Sequence, residues 1–166
     1  MNRYVDILNR IRQSANLSWL TPNQQKAYQL VIERLKFLDE INLWGGHGVG
    51  KTFAGWMLWK QGLTVYAPRP EDVKPASSLT TVIVDNVGWH RAEVREILRQ
   101  CRCMGYNKVL LITTEPVQDQ MSIIEIALSE NDISKVVANL RSIGVMPYRN
   151  VPRNLWDLVS PLDLNG

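Results

Sequence analysis

Gly45-Gly46-His47-Gly48-Val49-Gly50-Lys51-Thr52 is a glycine-rich stretch that directly follows the short apolar run 41–44. It fits the pattern G-x-x-x-x-G-K-[ST], in which a glycine turn lets backbone N–H groups wrap closely around a chain of phosphates. The lysine, here Lys51, reaches the β- and γ-phosphates, and the hydroxyl of Thr52 can ligate Mg²⁺. The helical run 52–61 adds the positive end of its dipole. We therefore predict that this loop and Phe53 bind a nucleotide; the alternative is a glycine-rich turn with a surface lysine.

The composition is that of one globular domain. A chain of 166 residues with 45% hydrophobic residues can bury one sizeable core. Its 19 Lys and Arg against 16 Asp and Glu permit nucleic-acid binding without requiring it. No signal peptide, transit sequence or apolar run of membrane length is present, so we expect a cytoplasmic protein with no membrane partner.

Alternating strand-like and helix-like runs predict an α/β fold with a mainly parallel sheet of about five strands flanked by helices. The predicted strands are 41–44, 63–67, 81–84, 108–113 and 145–148. The predicted helices are 2–13, a helix opening at Pro22 with Thr21 as its N-cap, 52–61, 91–103, 118–129 and 133–142. We expect a single domain over 1–166, made of a helical leader (1–40), a nucleotide-binding core (41–150) and a tail (151–166), with an irregular proline-rich connector at 68–78.

A second stretch with chemical meaning is Thr81-Val82-Ile83-Val84-Asp85-Asn86. An apolar run that ends in an acid describes a buried strand delivering a carboxylate to the carboxyl edge of the sheet, where ligands bind. Asp85 is therefore predicted to hold, with Thr52, the Mg²⁺ that bridges the phosphates. Asn86 follows Asp85, and its amide can orient an attacking water but cannot accept the proton of that water, as a glutamate base can. Hydrolysis is then slow, absent, or served by another carboxylate such as Glu93 or Glu115.

A third stretch, Lys108-Val109-Leu110-Leu111-Ile112-Thr113-Thr114-Glu115, describes a buried strand that ends in hydroxyl residues. Beside the phosphate-loop strand, it would place a polar group near the γ-phosphate. Thr114, or alternatively Thr113, is the predicted sensor of the third phosphate. The alternative is an ordinary threonine-rich strand end.

Together these stretches, over about residues 41–115, resemble the division of P-loop ATPases that includes AAA+ proteins, helicases and signalling ATPases, with a RecA- or AAA+-like three-layer core. VIVDNVGW with KVLLITTE is similar to the NB-ARC signalling ATPases, whereas the short gap from Lys51 to Asp85 is more similar to superfamily 3 helicases. LTPNQQKAYQLV (20–31) resembles the glutamine motif of superfamily 1 helicases, which implies Gln25 or Gln24 near the adenine. None of the three patterns fits throughout, so the resemblance stays at the level of the division.

Arginines supply candidate partner-binding and catalytic groups. The helix after Asp85 carries four at steps of four, four and three, which places them on one face: Arg91, Arg95, Arg99 and Arg102. Such a stripe suits phosphate backbones or an acidic partner, and a solvated face is the alternative. Arg141 resembles the arginine finger that AAA+ proteins supply to a neighbouring subunit, with Arg149 and Arg153 as alternatives, which implies an oligomer.

These observations predict a Mg-ATP-binding ATPase that works as an oligomer or in a larger complex of nucleic-acid processing, helicase- or loader-like. The alternative is a nucleotide-gated scaffold or signalling subunit with little or no ATP hydrolysis.

Overall fold

The structure is a computed structural model that describes residues 3–147 and 152–159. The chain forms two compact units. One unit is Gln24–Ala127, and the other comprises the described residues of Met1–Asn23 and Leu128–Gly166. No helix of the described ranges is both long and apolar enough to cross a membrane.

A parallel sheet forms the centre of the unit Gln24–Ala127. Its strands are β1 (Glu40–Trp44), β2 (Val65–Ala67), β3 (Thr81–Val84), β4 (Lys108–Thr113) and β5 (Ser122–Glu125). They lie in the order β2-β3-β4-β1-β5, and every neighbouring pair is parallel. The predicted α/β fold with a five-stranded parallel sheet is therefore confirmed, as is the position of β4 beside the loop-bearing β1.

The described residues of the two units form five α-helices: α1 (Arg3–Ser14), α2 (Pro22–Arg34), α3 (Lys51–Lys60), α4 (Arg91–Cys103) and α5 (Glu130–Ser142). Short 3₁₀ turns occur at Leu17–Trp19, Pro70–Asp72 and Leu155–Leu158. Helix α4 has the predicted bounds, and the predicted helix 133–142 begins three residues earlier because Ser129 and Asp132 form a capping box.

The sheet buries both faces, which is why β3 and β4 are almost continuously apolar. Alternate residues on one face, such as Val84 and Leu111, pack with the apolar stripe of α4. On the other face α3 approaches so closely that a Cβ on Gly55 would lie 2.9 Å from Ile112 Cδ1 and 3.6 Å from Ile83 Cγ2. A larger residue at this position would require the Ile112 side chain to move, so glycine favours the close contact of α3 with β3 and β4.

Two predicted elements are wrong. The stretch 118–129, predicted as a helix, contains strand β5, because the backbone of 122–125 pairs with β1 and buries Ile124. The stretch 145–148, predicted as the fifth strand, has no strand at 145–147, and Tyr148 lies outside the described residues. Val145 is buried instead in an apolar cluster with Ile7 and Leu140.

The second unit, which contains α1 and α5, is stabilised by the apolar cluster of Ile7, Leu140 and Val145 and by the buried carboxylate of Asp132. The Asp132 side chain is 1% exposed and accepts hydrogen bonds from the backbone N–H and Nδ2 of Asn23 and from the backbone N–H of Ser129. These bonds join Asn23 to the first turn of α5. Burial raises the pKa of Asp132, but hydrogen bonds from the side chains of Ser129 and Thr21 and from the backbone of Asn23 and Ser129 outweigh it and hold that pKa below its usual range.

Candidate functional site

The glycine-rich loop lies between the carboxyl end of β1 and the start of α3. Gly48 and Gly50 have φ values of 72° and 90°, in the left-handed region that favours glycine. Gly45 is confined by a neighbour, because a Cβ there would lie 2.3 Å from the carbonyl oxygen of Ile126. The loop therefore has the strand–turn–helix setting that its sequence pattern requires.

Lys51 is buried at the first turn of α3, with 8% of its surface exposed. Its Nζ donates to the carbonyl oxygens of Gly45 and Gly46, at 2.6 and 2.8 Å, so the ammonium is folded back over the loop. Burial lowers the pKa of Lys51, and the charge of Asp85 opposes that shift. The lysine thus places a positive charge between the loop and the acid of β3.

Asp85 follows β3 at the same edge of the sheet and is 2% exposed. Its backbone N–H donates to Ala67, which continues the ladder between β2 and β3 by one bond. Its Oδ2 accepts hydrogen bonds from the hydroxyls of Thr52 at 2.7 Å and Tyr66 at 2.6 Å. Its Oδ1 accepts the backbone N–H of Asn86 at 2.7 Å.

Thr52 and Asp85 offer hard oxygen ligands at hydrogen-bond distance from each other, which suits Mg²⁺. In the described part of the chain, no group of three or more His, Cys, Asp or Glu side chains could hold a metal by itself. Mg²⁺ characteristically takes only one or two protein oxygens and completes its octahedron with phosphates and water. The donor set at the loop fits that mode.

Comparisons with known proteins bear on the fold. No family model and no curated protein sequence match this chain. A crystal structure of a DNA replication initiation factor is similar, with a TM-score of 0.51 and 16% identity over 76% of this chain and 53% of that chain. Unliganded Pif1 from Bacteroides sp is similar with a TM-score of 0.40 and 15% identity, over 76% of this chain and 46% of that chain. The chain spans about half the length of these structures.

The likeness to the replication initiation factor extends to a shared α/β architecture. Together with the loop between β1 and α3, it supports a P-loop NTPase fold. At 16% identity the likeness concerns the fold alone.

Asn86 adopts a left-handed conformation with φ of 55°, which asparagine tolerates better than most residues. Its Nδ2 donates to the carbonyl oxygen of Pro68 at 2.9 Å. The side-chain amide of Asn86 is therefore hydrogen-bonded to the connector after β2. Of the alternative carboxylates, Glu93 accepts the backbone N–H of Gly88 at 3.0 Å, and Glu115 is exposed.

Thr113 and Thr114 differ in their surroundings. Thr113 is buried, accepts a hydrogen bond from Asn42 Nδ2 at 2.9 Å and donates to the carbonyl oxygen of Glu115. Thr114 is half-buried at the edge where β4 ends beside the loop. Thr113 thus has a structural role in the turn after β4.

Of the two candidate glutamines, Gln24 contacts the loop. Its side chain is buried, and its Nε2 donates to the carbonyl oxygen of Val49 at 3.2 Å. Gln25, the residue preferred from the sequence, is exposed on α2, and His47 is exposed within the loop.

Sequence reasoning missed two side chains at this edge of the sheet. Asn42 is fully buried in β1, and its Oδ1 also accepts the backbone N–H of Val117, so it fixes the turn after β4. An asparagine inside an apolar run must have buried hydrogen-bond partners. The position of Asn42 in the run 41–44 was therefore the sequence signal that could have indicated this structural role. Tyr66 contacts Asp85, and burial together with that hydrogen bond raises the pKa of its hydroxyl, so it remains a proton donor.

The arginine stripe of α4 is exposed, and each member has an acidic partner: Arg91 and Arg95 pair with Asp119, Arg99 with Glu96, and Arg102 with Glu40. Arg95 binds Asp119 through Nε and Nη2 at 2.9 and 3.0 Å and holds the pKa of that carboxyl below its usual range. Asp119 belongs to the segment between β4 and β5. Arg91 and Arg95 therefore tie this segment to α4.

The candidate finger residues lie in the other unit. Arg141 is exposed in the last turn of α5. Arg153 is exposed, and its backbone N–H donates to Asp157. Arg149 lies outside the described residues.

Replacing Gly45 with alanine is expected to destabilise the unit Gln24–Ala127 by about 2–4 kcal/mol, because the new methyl group would overlap the Ile126 carbonyl. Gly46→Ala is the matched control, since a Cβ there has Val49 Cγ1 at 4.0 Å as its nearest neighbour, and we expect a change of less than about 1 kcal/mol. Urea unfolding measures both. Equal midpoints for the two variants would contradict the close approach of Ile126 to the loop.

Proposed function

We propose that this protein is a Mg-ATP-binding P-loop ATPase. The observation that carries the proposal is the convergence of Lys51, Thr52 and Asp85 at one end of the glycine loop, from the start of α3 and the end of β3. A buried ammonium, a hydroxyl and a carboxylate are the three groups that a magnesium–triphosphate ligand requires of a protein.

In this proposal the chain contributes binding and orientation. The loop amides and Lys51 bind the phosphates, and Lys51 exchanges its bonds to Gly45 and Gly46 for phosphate oxygens. Thr52 and Asp85 would hold Mg²⁺, which supplies charge neutralisation at the phosphates when bound. Thr114, at the end of the strand next to β1, senses the third phosphate.

We further propose that the ATPase works in nucleic-acid processing, as an oligomer or within a larger complex. The fold is shared with a protein described as a DNA replication initiation factor, and α4 presents four arginines to solvent. Of their acidic partners, Glu96 is 60% exposed, whereas the side chains of Glu40 and Asp119 are 29% and 9% exposed, so a phosphate competes most readily for Arg99. Arg141 is the proposed finger toward a neighbouring subunit.

One observation favours a second candidate, a nucleotide-gated scaffold that hardly turns ATP over. Asn86 occupies the position after the metal acid, and its amide is engaged with Pro68. No carboxylate replaces it there, so activation of the attacking water depends on a group supplied from elsewhere.

Phosphate release measured against a panel of DNA and RNA polynucleotides, at several protein concentrations, separates the two candidates. We expect turnover that rises with polynucleotide and more than linearly with protein concentration, because a finger in trans needs a neighbour. Nucleotide binding with no turnover under any of these conditions would favour the scaffold. No nucleotide binding at all would refute both.

A further inference from the structure

The phenol of Tyr66 lies against the acid of β3, at a place that follows from the register of the sheet. Tyr66 pairs with Ile83 in the parallel ladder of β2 and β3, and paired residues place their side chains on the same face. Ile83 faces α3, and Asp85, two residues on, lies on that face as well. The ladder thus aims the tyrosine ring along the sheet toward the carboxylate.

The contact is short and specific. Tyr66 Oη donates to Asp85 Oδ2 at 2.6 Å, which is typical of a hydroxyl bound to a carboxylate. The ring is half-buried and Asp85 is 2% exposed, so little water competes for this bond. Thr52 donates to the same oxygen at 2.7 Å.

The two hydroxyls are not equivalent toward a metal ion. A hydroxyl carries one proton and two lone pairs, so Thr52 can offer an oxygen lone pair to Mg²⁺ while its O–H still donates a hydrogen bond to Asp85. Tyr66 comes from β2 rather than from the loop helix, and its O–H fixes the carboxylate from the neighbouring strand. The backbone N–H of Asn86 fixes the other oxygen. The carboxylate plane is thereby set before a metal arrives.

We propose that Tyr66 is a positioning residue of the magnesium site, which orients Asp85 through its hydroxyl and sets how tightly the nucleotide site holds Mg²⁺. The inference rests on the proposed function, because it assigns Tyr66 to the metal site of that function. Outer partners of ligating carboxylates commonly contribute a factor of ten to a hundred to metal affinity.

The test is Tyr66→Phe, which removes the hydroxyl and keeps the ring. The matched control is Tyr106→Phe, because Tyr106 is also buried and its hydroxyl donates to the backbone of Lys74 at 2.9 Å, a contact that does not involve Asp85. A fluorescent ADP analogue is titrated with each protein in EDTA and at increasing Mg²⁺. We expect roughly tenfold weaker apparent Mg²⁺ affinity for Tyr66→Phe, and wild-type behaviour for Tyr106→Phe.

Binding in EDTA distinguishes orientation of the metal ligand from general damage. We expect the metal-free nucleotide affinity of Tyr66→Phe to stay within about twofold of wild type, because Lys51 and the loop are untouched. An equal loss with and without Mg²⁺ would make the tyrosine merely structural and overturn the proposal. Mn²⁺ bound to the ADP complex, counted by electron paramagnetic resonance, is expected to fall in parallel.

The remaining outcomes separate this inference from the function on which it rests. If the wild-type protein binds nucleotide more tightly with Mg²⁺ and Tyr66→Phe does the same at the same Mg²⁺ concentrations, the role of Tyr66 fails and the proposed function stands. If the wild-type protein binds no nucleotide, the proposed function fails, and the role of Tyr66 fails with it.

Discussion

Lys51→Ala is expected to lower nucleotide affinity at least a hundredfold, about 2.7 kcal/mol or more. The ammonium is nearly buried and already held over the loop by two carbonyl oxygens, so little ordering remains when phosphates take their place. Alanine leaves the phosphates with backbone N–H groups alone. Equilibrium titration with a fluorescent ATP analogue measures the loss.

Two controls make this result specific to the site. Lys60→Ala removes an exposed lysine from the last turn of the same helix and is expected to leave affinity within about twofold. Urea unfolding should show a small change for Lys51→Ala, because relief of a buried charge offsets the loss of two hydrogen bonds. Undiminished ATP binding by Lys51→Ala would overturn the assignment of the loop.

The sequence predicts best those elements that are buried on both sides. Strands β3 and β4 were predicted with the bounds found, because an apolar run between turn residues has few alternatives. The sequence predicts a helix over 118–129, whereas the structure has strand β5 there, with Ile124 buried and Ile123 40% exposed. An edge strand this short is selected by pairing with β1, a long-range interaction that local periodicity does not report.

The same distinction applies to the candidate site. Lys51 and Thr52 are fixed by a local motif, and Asp85 follows from a strand that ends at the shared edge, so sequence alone brings these three together. Tyr66 depends on β2 lying next to β3 in one register, and the choice of Gln24 over Gln25 depends on how α2 is rotated. A shift of one residue in the register of β2 would turn Tyr66 to the other face of the sheet. A shift of one residue along α2 would likewise place Gln25 rather than Gln24 at the loop.

The backbone conformation of Asn86 determines where its side chain lies, and the position of Asn86 after Asp85 in the sequence does not reveal that conformation. The resemblance to P-loop ATPases places an amide where many of them carry a base, and an amide can orient water but cannot accept its proton. In the structure the left-handed backbone turns that amide to Pro68. The conformation belongs to the turn after β3, which also donates Val87 N–H to β4, and no local pattern encodes it.

Asp85→Asn is expected to abolish the strengthening of nucleotide binding by Mg²⁺ and to lower turnover at least a hundredfold, provided the wild type hydrolyses ATP. The amide cannot supply the anionic ligand that a hard cation prefers, so Mg²⁺ no longer strengthens binding. In EDTA the same variant should bind nucleotide as tightly as wild type or more tightly, because a negative charge beside the phosphates has been removed. A general loss of structure would weaken binding under both conditions.

Asp72→Asn is the matched control for this charge removal, since Asp72 pairs with Arg69 on the connector rather than with Thr52. We expect it to retain the full Mg²⁺ effect. In Asp85→Asn the amide oxygen can still accept from Thr52 and Tyr66, so the fold should persist at a cost of about 1–2 kcal/mol for the mismatched contact with the N–H of Asn86. Calorimetric titration with ADP at zero and at saturating Mg²⁺ gives two affinities for each protein, and therefore four when a variant is compared with the wild type. If the ratio of the ADP affinities at saturating and at zero Mg²⁺ were the same for Asp85→Asn as for the wild type, the metal would be held elsewhere. Asp85 would then be a structural acid at the β2–β3 edge.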